Sequence, residues 1–157
     1  MNFDDAFALL VPEEGGYSNP APGVDPGGET NFGVSKRSYP DEDIKNLTRE
    51  RAKAIYEADF WLKAQCDIVP EWIKFDLFDT AVNSGPHQAI VLLQRAAFAD
   101  ADGVIGPHTL MGMGYMTPDK LRRRFNGLRL QLMEGLHNWP PNSRGWALRV
   151  ANNLLRD

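Results

Sequence analysis

Three side chains near the start of the chain carry groups that could cleave a glycosidic bond by acid catalysis. Glu14 and Asp25 are two carboxylates 11 residues apart, and Thr30 adds a hydroxyl five residues further on. One carboxylic acid can protonate the leaving sugar oxygen while the second orients water or stabilises the cationic transition state. Each residue also has an ordinary structural interpretation: Glu14 as a helix end, Asp25 as a turn residue and Thr30 as a strand residue. Only their combination favours a glycosidase-type site.

The element expected to position Glu14 is an amphipathic helix over residues 2–14. At about 100° per residue, Phe3, Phe7, Leu10 and Glu14 fall within a wedge of roughly 60°, which aims the carboxyl group along the apolar face. Desolvation and the negative end of the helix dipole both disfavour the ionised form of such a group. We therefore expect Glu14 to keep its proton nearer neutral pH, as a general acid must.

A long loop rich in Gly, Pro, Asn and Asp follows from Tyr17 to Ser35, and its pattern predicts one minimal β-hairpin. Loops of this length without regular structure are usually functional. We expect a substrate cleft between the two carboxylates, and it is flanked by Tyr17, Glu29 and Asn31. These side chains could hydrogen-bond sugar hydroxyl or acetamido groups. Structural roles in the hairpin remain open for all three.

The rest of the chain is predicted to be helical, so the fold class is mainly α with one small hairpin beside the active-site cleft. Asp79 and Asn83 lie one turn apart on one of these helices, so the two side chains can share a polar network. Their assignment to the border of the cleft, in contact with substrate, is what the family resemblance described below implies. Asn83 could alternatively cap the next helix. Apolar and capping patterns predict helices at about 48–62, 71–83, 86–98, 107–115, 118–137 and 142–155.

The composition indicates one compact globular domain without a membrane-spanning segment. The chain has 157 residues, of which 43% are hydrophobic and 24% charged, the size and balance of one compact domain. No apolar run approaches the roughly 18 to 20 residues that span a membrane. Asp4 and Asp5 stand where an export signal would carry basic residues. The single Cys66 excludes an internal disulfide. We expect a monomer that does not insert into membranes.

Charge is distributed unevenly along the chain. Residues 118–157 hold Lys120 and seven arginines against three acidic residues, a net +5, so the remainder carries −9 of the total −4. No basic stripe is interleaved with stacking aromatic residues, so nucleic acid is not an expected partner. We interpret the basic end as a solvated helix face, with contact to a polyanionic bacterial envelope as the alternative.

Metal and nucleotide sites are not expected. The three histidines, at 87, 108 and 137, lack the spacing of metal ligands. The segment FADADGVIGPHT, residues 98–109, lacks the acidic first and twelfth positions of a calcium loop, and no GKS or GKT follows a glycine-rich turn. We therefore expect no cofactor.

Several segments together resemble one enzyme family. EGGY at 14–17 and DPGGETNFGVSKRSYP at 25–40 are similar to the N-terminal signature of the glycoside hydrolase 108 muramidases, which are largely phage endolysins. The similarity continues at the positions of TRERAKAIYEADFW (48–61), FDTAVNSGPHQAIVLLQ (78–94), DGVIGPHTL (102–110) and RGWALRV (144–150). DGVIGPHTL is also found in many peptidoglycan-binding modules.

The resemblance implies a lysozyme-like fold in a single domain, with a catalytic part over 1–97 and a helical, peptidoglycan-binding-like part over 98–157. It implies cleavage of the bond between N-acetylmuramic acid and N-acetylglucosamine in bacterial peptidoglycan, with Glu14, Asp25 and Thr30 as the catalytic set. It also implies storage in the host cytoplasm, release by a holin-type pore and action at the cell wall. A lytic transglycosylase and a non-catalytic cell-wall binding module remain the alternatives.

Overall fold

The computed structural model describes residues 1–11, 16–20 and 28–156. Over these residues the chain forms seven α-helices, one π-helical turn and a two-stranded antiparallel sheet, which confirms the predicted mainly helical fold with one hairpin. The elements are α1 Phe3–Leu10, β1 Thr30–Asn31, β2 Val34–Ser35, α2 Arg49–Tyr56, the π-helical turn Glu57–Trp61, α3 Glu71–Ser84, α4 Pro86–Ala96, α5 Pro107–Gly114, α6 Pro118–Glu134 and α7 Trp139–Leu154.

The chain divides into two compact units. We call Asn2–Asp59 the N-terminal unit, and Phe60–Asp157, which Met1 joins through an ion pair with Glu71, the C-terminal unit. This structural boundary at 59/60 differs in position from the division of function expected at 97/98, which stays a prediction. No helix in the described ranges has the length and apolarity to cross a membrane.

Helix α1 begins where expected but ends early. The Asn2 side chain accepts a hydrogen bond from the Asp5 backbone N–H, and the Asp5 carboxylate accepts from the Asn2 N–H, a capping box. The helix ends at Leu10 because Val11 is extended, with φ −116° and ψ 95°. Pro12 explains this, since a residue that precedes proline is driven out of the α region. Helix α1 is therefore shorter than the predicted helix over 2–14, and residues 12–14 of that prediction lie outside the described residues.

A tight turn joins the two strands of the hairpin. Asn31 pairs with Val34 in the antiparallel register. The two residues between them, Phe32 and Gly33, have φ of +48° and +79°, as in the type I′ turns of two-residue hairpins. The Tyr56 hydroxyl of α2 donates to the Phe32 carbonyl over 3.2 Å. The hairpin turn is therefore held against α2.

Helix α2 carries the packing of the N-terminal unit. Thr48 caps it as predicted, its Oγ1 accepting from the Arg51 N–H over 3.1 Å. The ring of Tyr56 meets Phe7 of α1 edge-on, with centroids 5.5 Å apart. The guanidinium of Arg49 lies 4.9 Å from the centre of the same Phe7 ring. Helices α1 and α2 thus share one aromatic core.

The core of the C-terminal unit is formed by α3, α4, α6 and α7. The sequence predicts one apolar stripe along α6, formed by Leu121, Phe125, Leu128, Leu132 and Leu136. Leu121 and Phe125 are fully buried, but Leu136, just beyond the end of the helix, is 40% exposed. The buried line continues instead through Arg129 and Met133. The second half of the predicted stripe was wrong. Carboxylates of α3 face α6 there, and polar side chains of α6 are buried because they pair with these carboxylates.

Helix α7 starts three residues earlier than expected, at Trp139 rather than Asn142. Pro140 and Pro141 fall in its first turn, where the N–H groups have no partner within the helix. Proline is therefore tolerated there and does not delay the helix start.

Candidate active site

Two of the predicted catalytic residues, Glu14 and Asp25, lie outside the described residues, and their assignments remain predictions. Because α1 ends at Leu10, the wedge calculation that placed Glu14 on its apolar face no longer supports that assignment. The structure does place the chain just before Glu14. The Val11 carbonyl accepts a hydrogen bond from Arg49 Nη1 of α2 over 3.0 Å.

The third predicted catalytic residue, Thr30, is joined to the segment that follows Glu14. Ser18 and Thr30 exchange two backbone hydrogen bonds of 2.8 Å each and form an isolated antiparallel bridge beside the hairpin. The Thr30 hydroxyl donates to the Gly28 carbonyl over 3.1 Å. Its proton is therefore engaged, and its oxygen still has lone pairs that can accept a hydrogen bond from water or a sugar hydroxyl.

Tyr17 and Glu29, both predicted to contact substrate, form a pair on the neighbouring backbone. The Tyr17 hydroxyl donates to Glu29 Oε1 over 2.7 Å. This hydrogen bond, with smaller contributions from desolvation and from the Glu29 charge, raises the pKa of Tyr17. Tyr17 is 41% exposed, so the pair presents a phenol and a carboxylate to solvent. Whether they bind substrate stays a prediction.

Asn31 is buried and braces the hairpin. Its Nδ2 donates to the carbonyls of Ile44 and Leu47, over 3.1 Å and 3.4 Å. These bonds hold β1 to the segment that enters α2. Both amide protons of Asn31 are therefore engaged within the protein, which assigns it the structural role that the sequence left open. Its predicted contact with substrate is not tested.

Asp79 lies at the centre of a buried ionic cluster, which we define as Asp76, Asp79, Arg122, Asn126, Arg129, Arg149 and Asn153 of α3, α6 and α7. Asp79 is 1% exposed and accepts from Arg129 Nη1 and Arg149 Nε at 2.6 Å each and from Asn153 Nδ2 at 2.8 Å. Three residues earlier, Asp76 accepts from Asn126 Nδ2 over 2.7 Å and Arg122 Nε over 3.2 Å. These contacts secure α3 against α6 and α7.

The cluster changes the interpretation of the basic C-terminal end. We interpreted its charges as a solvated helix face, but Arg129 is fully buried and Arg122 and Arg149 bind the two buried aspartates. That interpretation was wrong for these three arginines. The physical reason is long-range pairing, because an arginine can be buried when a carboxylate on another helix compensates its charge.

Asn83, in the last turn of α3, lies at a small pocket. The pocket measures about 190 Å³, and its wall is formed by Asn83, Ser84, Gln88, Leu132, Leu136 and Trp146. The Ser84 hydroxyl donates to Asn83 Oδ1 over 3.3 Å. Of the predicted substrate-binding residues, Asn83 is thus the one in the C-terminal unit that faces an open cavity.

Sequence reasoning did not single out Gln88 or Trp146 as functional. Gln88 sits two residues after Pro86 in the first turn of α4, and Trp146 lies in α7 more than 50 residues away. The one available signal was their presence in the two family-like segments FDTAVNSGPHQAIVLLQ and RGWALRV. Neither segment reveals that the two side chains line one cavity.

The described side chains of the candidate site carry hydroxyl, carboxylate and amide groups. Within the described ranges, no three His, Cys, Asp or Glu side chains are grouped closely enough to hold a metal ion. The Thr30 hydroxyl and the Tyr17–Glu29 pair suit hydrogen bonding to water or carbohydrate. These groups can orient a polar substrate or a water molecule.

Comparison with known proteins agrees with this chemistry. Residues 7–85 match the family Glycosyl hydrolase 108, a range that includes Glu14, Asp25 and Thr30. The fold is similar to the structure of Brucella abortus SagA, with a TM-score of 0.85 and 31% sequence identity over 97% of this chain and 91% of that chain. No curated protein sequence gives a match. The chain therefore belongs to the glycosyl hydrolase 108 family and is a glycoside hydrolase.

Proposed function

We propose that the protein is a muramidase that hydrolyses the β-1,4 bond between N-acetylmuramic acid and N-acetylglucosamine in bacterial peptidoglycan. The observation that carries the proposal is the family match over residues 7–85, which covers both carboxylates and the hydroxyl of the predicted catalytic set. Glycoside hydrolases of this kind use an acid and a second carboxylate flanking the scissile bond.

In this proposal Glu14 protonates the leaving oxygen, Asp25 orients water or stabilises the developing positive charge, and Thr30 holds that water or the sugar. The backbone bridge between Ser18 and Thr30 supports the grouping. It joins a residue four positions after Glu14 to a residue five positions after Asp25. No donor among the described residues occupies the lone pairs of the Thr30 hydroxyl oxygen, so this oxygen suits a group that accepts a hydrogen bond from water.

The replacement Glu14→Gln tests the assignment of the acid. We expect it to lower the release of reducing ends from purified peptidoglycan by about 10²–10⁴-fold, the usual contribution of general acid catalysis. Glu13→Gln is the matched control, since it removes the same charge one residue away. Circular dichroism of both variants checks that the fold is kept. Hydrolysis by Glu14→Gln at the wild-type rate would refute the assignment.

The products distinguish hydrolysis from the nearest alternative. A lytic transglycosylase cuts the same bond without adding water and leaves an anhydro-sugar. Mass spectrometry of digested peptidoglycan should show fragments with the full mass of a hydrolysed muramic acid end. Fragments lighter by one water would replace our proposal with the transglycosylase. A purely non-catalytic binding module does not fit membership of a glycoside hydrolase family.

We also propose that the enzyme serves as an endolysin. It is a monomer that stays in the host cytoplasm until a holin-type pore gives it access to the cell wall, and lysis of the host follows. The resemblance to phage endolysins supports this role. Expression inside a bacterium with and without a pore-forming protein tests it, because lysis should require the pore. Rapid lysis without a pore would contradict this storage and release.

The predicted peptidoglycan-binding-like part, residues 98–157, is the second element of this proposal. A cavity of about 520 Å³ lies there, lined by residues of α5 and the ends of the neighbouring helices. Tyr115 and Phe98 at this cavity are 82% and 73% exposed. Exposed aromatic surface suits contact with sugar rings or peptide stems. Sedimentation of a Tyr115→Ala, Phe98→Ala variant with purified sacculi tests it, and unchanged retention would contradict it.

A further inference from the structure

The pocket beside Asn83 has two chemically different walls. One wall comes from the junction of α3 and α4 and carries the polar side chains of Asn83, Ser84 and Gln88. The other comes from the end of α6 and from α7 and carries Leu132, Leu136 and Trp146. A site with one polar and one apolar wall suits a ligand that has a polar edge and an apolar face.

The polar wall has hydrogen-bonding groups that no described residue pairs with. Ser84 donates to Asn83 Oδ1 over 3.3 Å, so the Nδ2 group of Asn83 is the donor end of this amide. Within the part of the chain that the structure describes, neither Asn83 Nδ2 nor the Gln88 side-chain amide makes a hydrogen bond. Both residues are half-buried rather than fully solvated. The pocket thus offers donors and an acceptor of amide type.

The junction that displays this wall is structurally defined. Gly85 caps both α3 and α4 and has φ +88°, a region that L side chains rarely adopt. Pro86 follows as the first residue of α4. Gly85 is thus the single residue between the end of α3 and the start of α4. The side chains of Asn83 and Gln88 are therefore held on short, rigid segments on either side of the turn.

The apolar wall is anchored by an indole. Trp146 is half-buried, and its ring centroid lies 6.0 Å from that of Trp139 in the preceding turns of α7. Leu132 and Leu136 extend the apolar surface. Aromatic rings of this kind pack against the C–H face of a sugar or against a methyl group.

We propose that this pocket is a subsite for an N-acetylhexosamine unit of the glycan, with Gln88 and Asn83 binding its acetamido group and Trp146 contacting its apolar face. The inference rests on the proposed function for the choice of sugar. An acetamido group matches both walls, since it has one N–H, one carbonyl and one methyl group. The volume of about 190 Å³ is below the roughly 300–1,000 Å³ of drug-sized sites, as expected for a single ring or substituent.

Titration with tri-N-acetylchitotriose tests the subsite directly. In two-dimensional NMR of the full chain, we expect the indole signal of Trp146 and the side-chain amide signals of Gln88 and Asn83 to shift on addition of the trisaccharide. Cellotriose, which lacks acetamido groups, is the matched control ligand. It should bind at least about tenfold more weakly if the amides recognise the acetamido group.

Matched variants separate the subsite from general effects on folding. Trp146→Ala and Gln88→Ala should each weaken trisaccharide binding by about tenfold or more. Trp72→Ala and Gln131→Ala remove the same residue types from positions that do not line the pocket, and we expect both to bind as the wild type does. Gln88→Ala keeps the proposal testable if Trp146→Ala fails to fold. On peptidoglycan, the two pocket variants should raise KM more than they lower kcat.

The outcomes are separable from those of the proposed function. Equal binding of both trisaccharides, or unchanged affinity in folded Trp146→Ala and Gln88→Ala, would overturn the subsite even if the wild type hydrolyses peptidoglycan. Absence of hydrolysis by the wild type would overturn the proposed function. Because the NMR titration reads binding without any turnover, it gives its answer in both cases.

Discussion

Replacing Asp79 with Asn removes the central negative charge of the buried ionic cluster. Asp79 is 1% exposed and accepts three hydrogen bonds of 2.6–2.8 Å from Arg129, Arg149 and Asn153. Without the charge, the fully buried Arg129 loses its counter-ion, and its Nε and Nη2 have no partner among the described residues to begin with. Breaking one partner of such a buried pair costs about 3–5 kcal/mol.

We therefore expect Asp79→Asn to lower the free energy of unfolding by about 3–5 kcal/mol. Equilibrium urea denaturation at neutral pH, followed by tryptophan fluorescence and circular dichroism, measures this directly. Glu134→Gln is the control, because it neutralises an exposed carboxylate at the end of α6 and should change stability by less than about 0.5 kcal/mol. A loss below about 1 kcal/mol for Asp79→Asn would refute the claim that this carboxylate compensates Arg129.

A double replacement tests the origin of the loss. Asp79→Leu combined with Arg129→Met removes both buried charges and keeps apolar volume at the site. Arg149 can turn toward solvent, since its side chain is 33% exposed. The double variant should therefore be more stable than Asp79→Leu alone, by about 1–3 kcal/mol. If it is less stable, packing rather than charge governs the cluster.

The pH dependence of stability gives the sign of the Asp79 contribution. Burial alone raises the pKa of Asp79, but Arg129 and Arg149 together outweigh it and hold the pKa below its ordinary value of 3.8. The ionised carboxylate thus stabilises the fold above about pH 4, and this stabilisation disappears as pH falls through the folded-state value. We expect the stability of Asp79→Asn to fall less steeply than that of the wild type between about pH 5 and pH 2.

The pKa of Asp76 is shifted in the opposite direction, above its ordinary value. Burial raises the pKa of Asp76 by more than Asn126 and Arg122 lower it. Its contribution is therefore fully present below the unfolded pKa and is lost as pH rises through the folded-state value. The two aspartates of α3 oppose each other on the acid side, so the single variants separate their effects.

Two further predictions concern glycine positions and the thiol. Gly33→Ala should destabilise the protein by about 1–3 kcal/mol in the same denaturation assay, because Gly33 has φ +79° and an added Cβ would overlap Tyr56 Oη. Gly127 lies in the middle of α6, where an added Cβ meets open space, so Gly127→Ala should instead stabilise the protein by about 0.5–1 kcal/mol. If both variants changed the free energy of unfolding in the same direction, this reasoning would be contradicted. Cys66 is fully buried, and burial raises the pKa of its thiol. The thiol should react with Ellman's reagent only after unfolding, whereas rapid labelling of the native protein would contradict its burial.

The helices were largely predictable because their start signals are local. Thr48 before α2, and the prolines that open α4, α5 and α6, mark helix starts through cap geometry and fixed φ. The same local chemistry explains the misplaced ends. Pro12 ends α1 at Leu10, before the predicted end at residue 14, and the two prolines of α7 lie inside that helix.

The long-range contacts could not be predicted in the same way. The pairing of Asp79 with Arg129 and Arg149 joins positions 50 and 70 residues apart, and no periodicity in one helix encodes it. The pocket that unites Gln88 and Trp146 has the same origin. At the candidate site, the hairpin around Thr30 was predicted from turn chemistry, whereas its bridge to Ser18 was visible only in the fold.

The buried ionic cluster also weakens the long-range electrostatic attraction between the C-terminal part of the chain and a polyanion. Of the seven arginines in residues 118–157, Arg122, Arg129 and Arg149 are engaged by the two aspartates of α3. Counterions around the protein therefore respond to a much weaker positive field than the sequence count implies. Attraction to anionic wall polymers should depend little on ionic strength, and recognition of the envelope has to come from short-range fit to sugars and peptides.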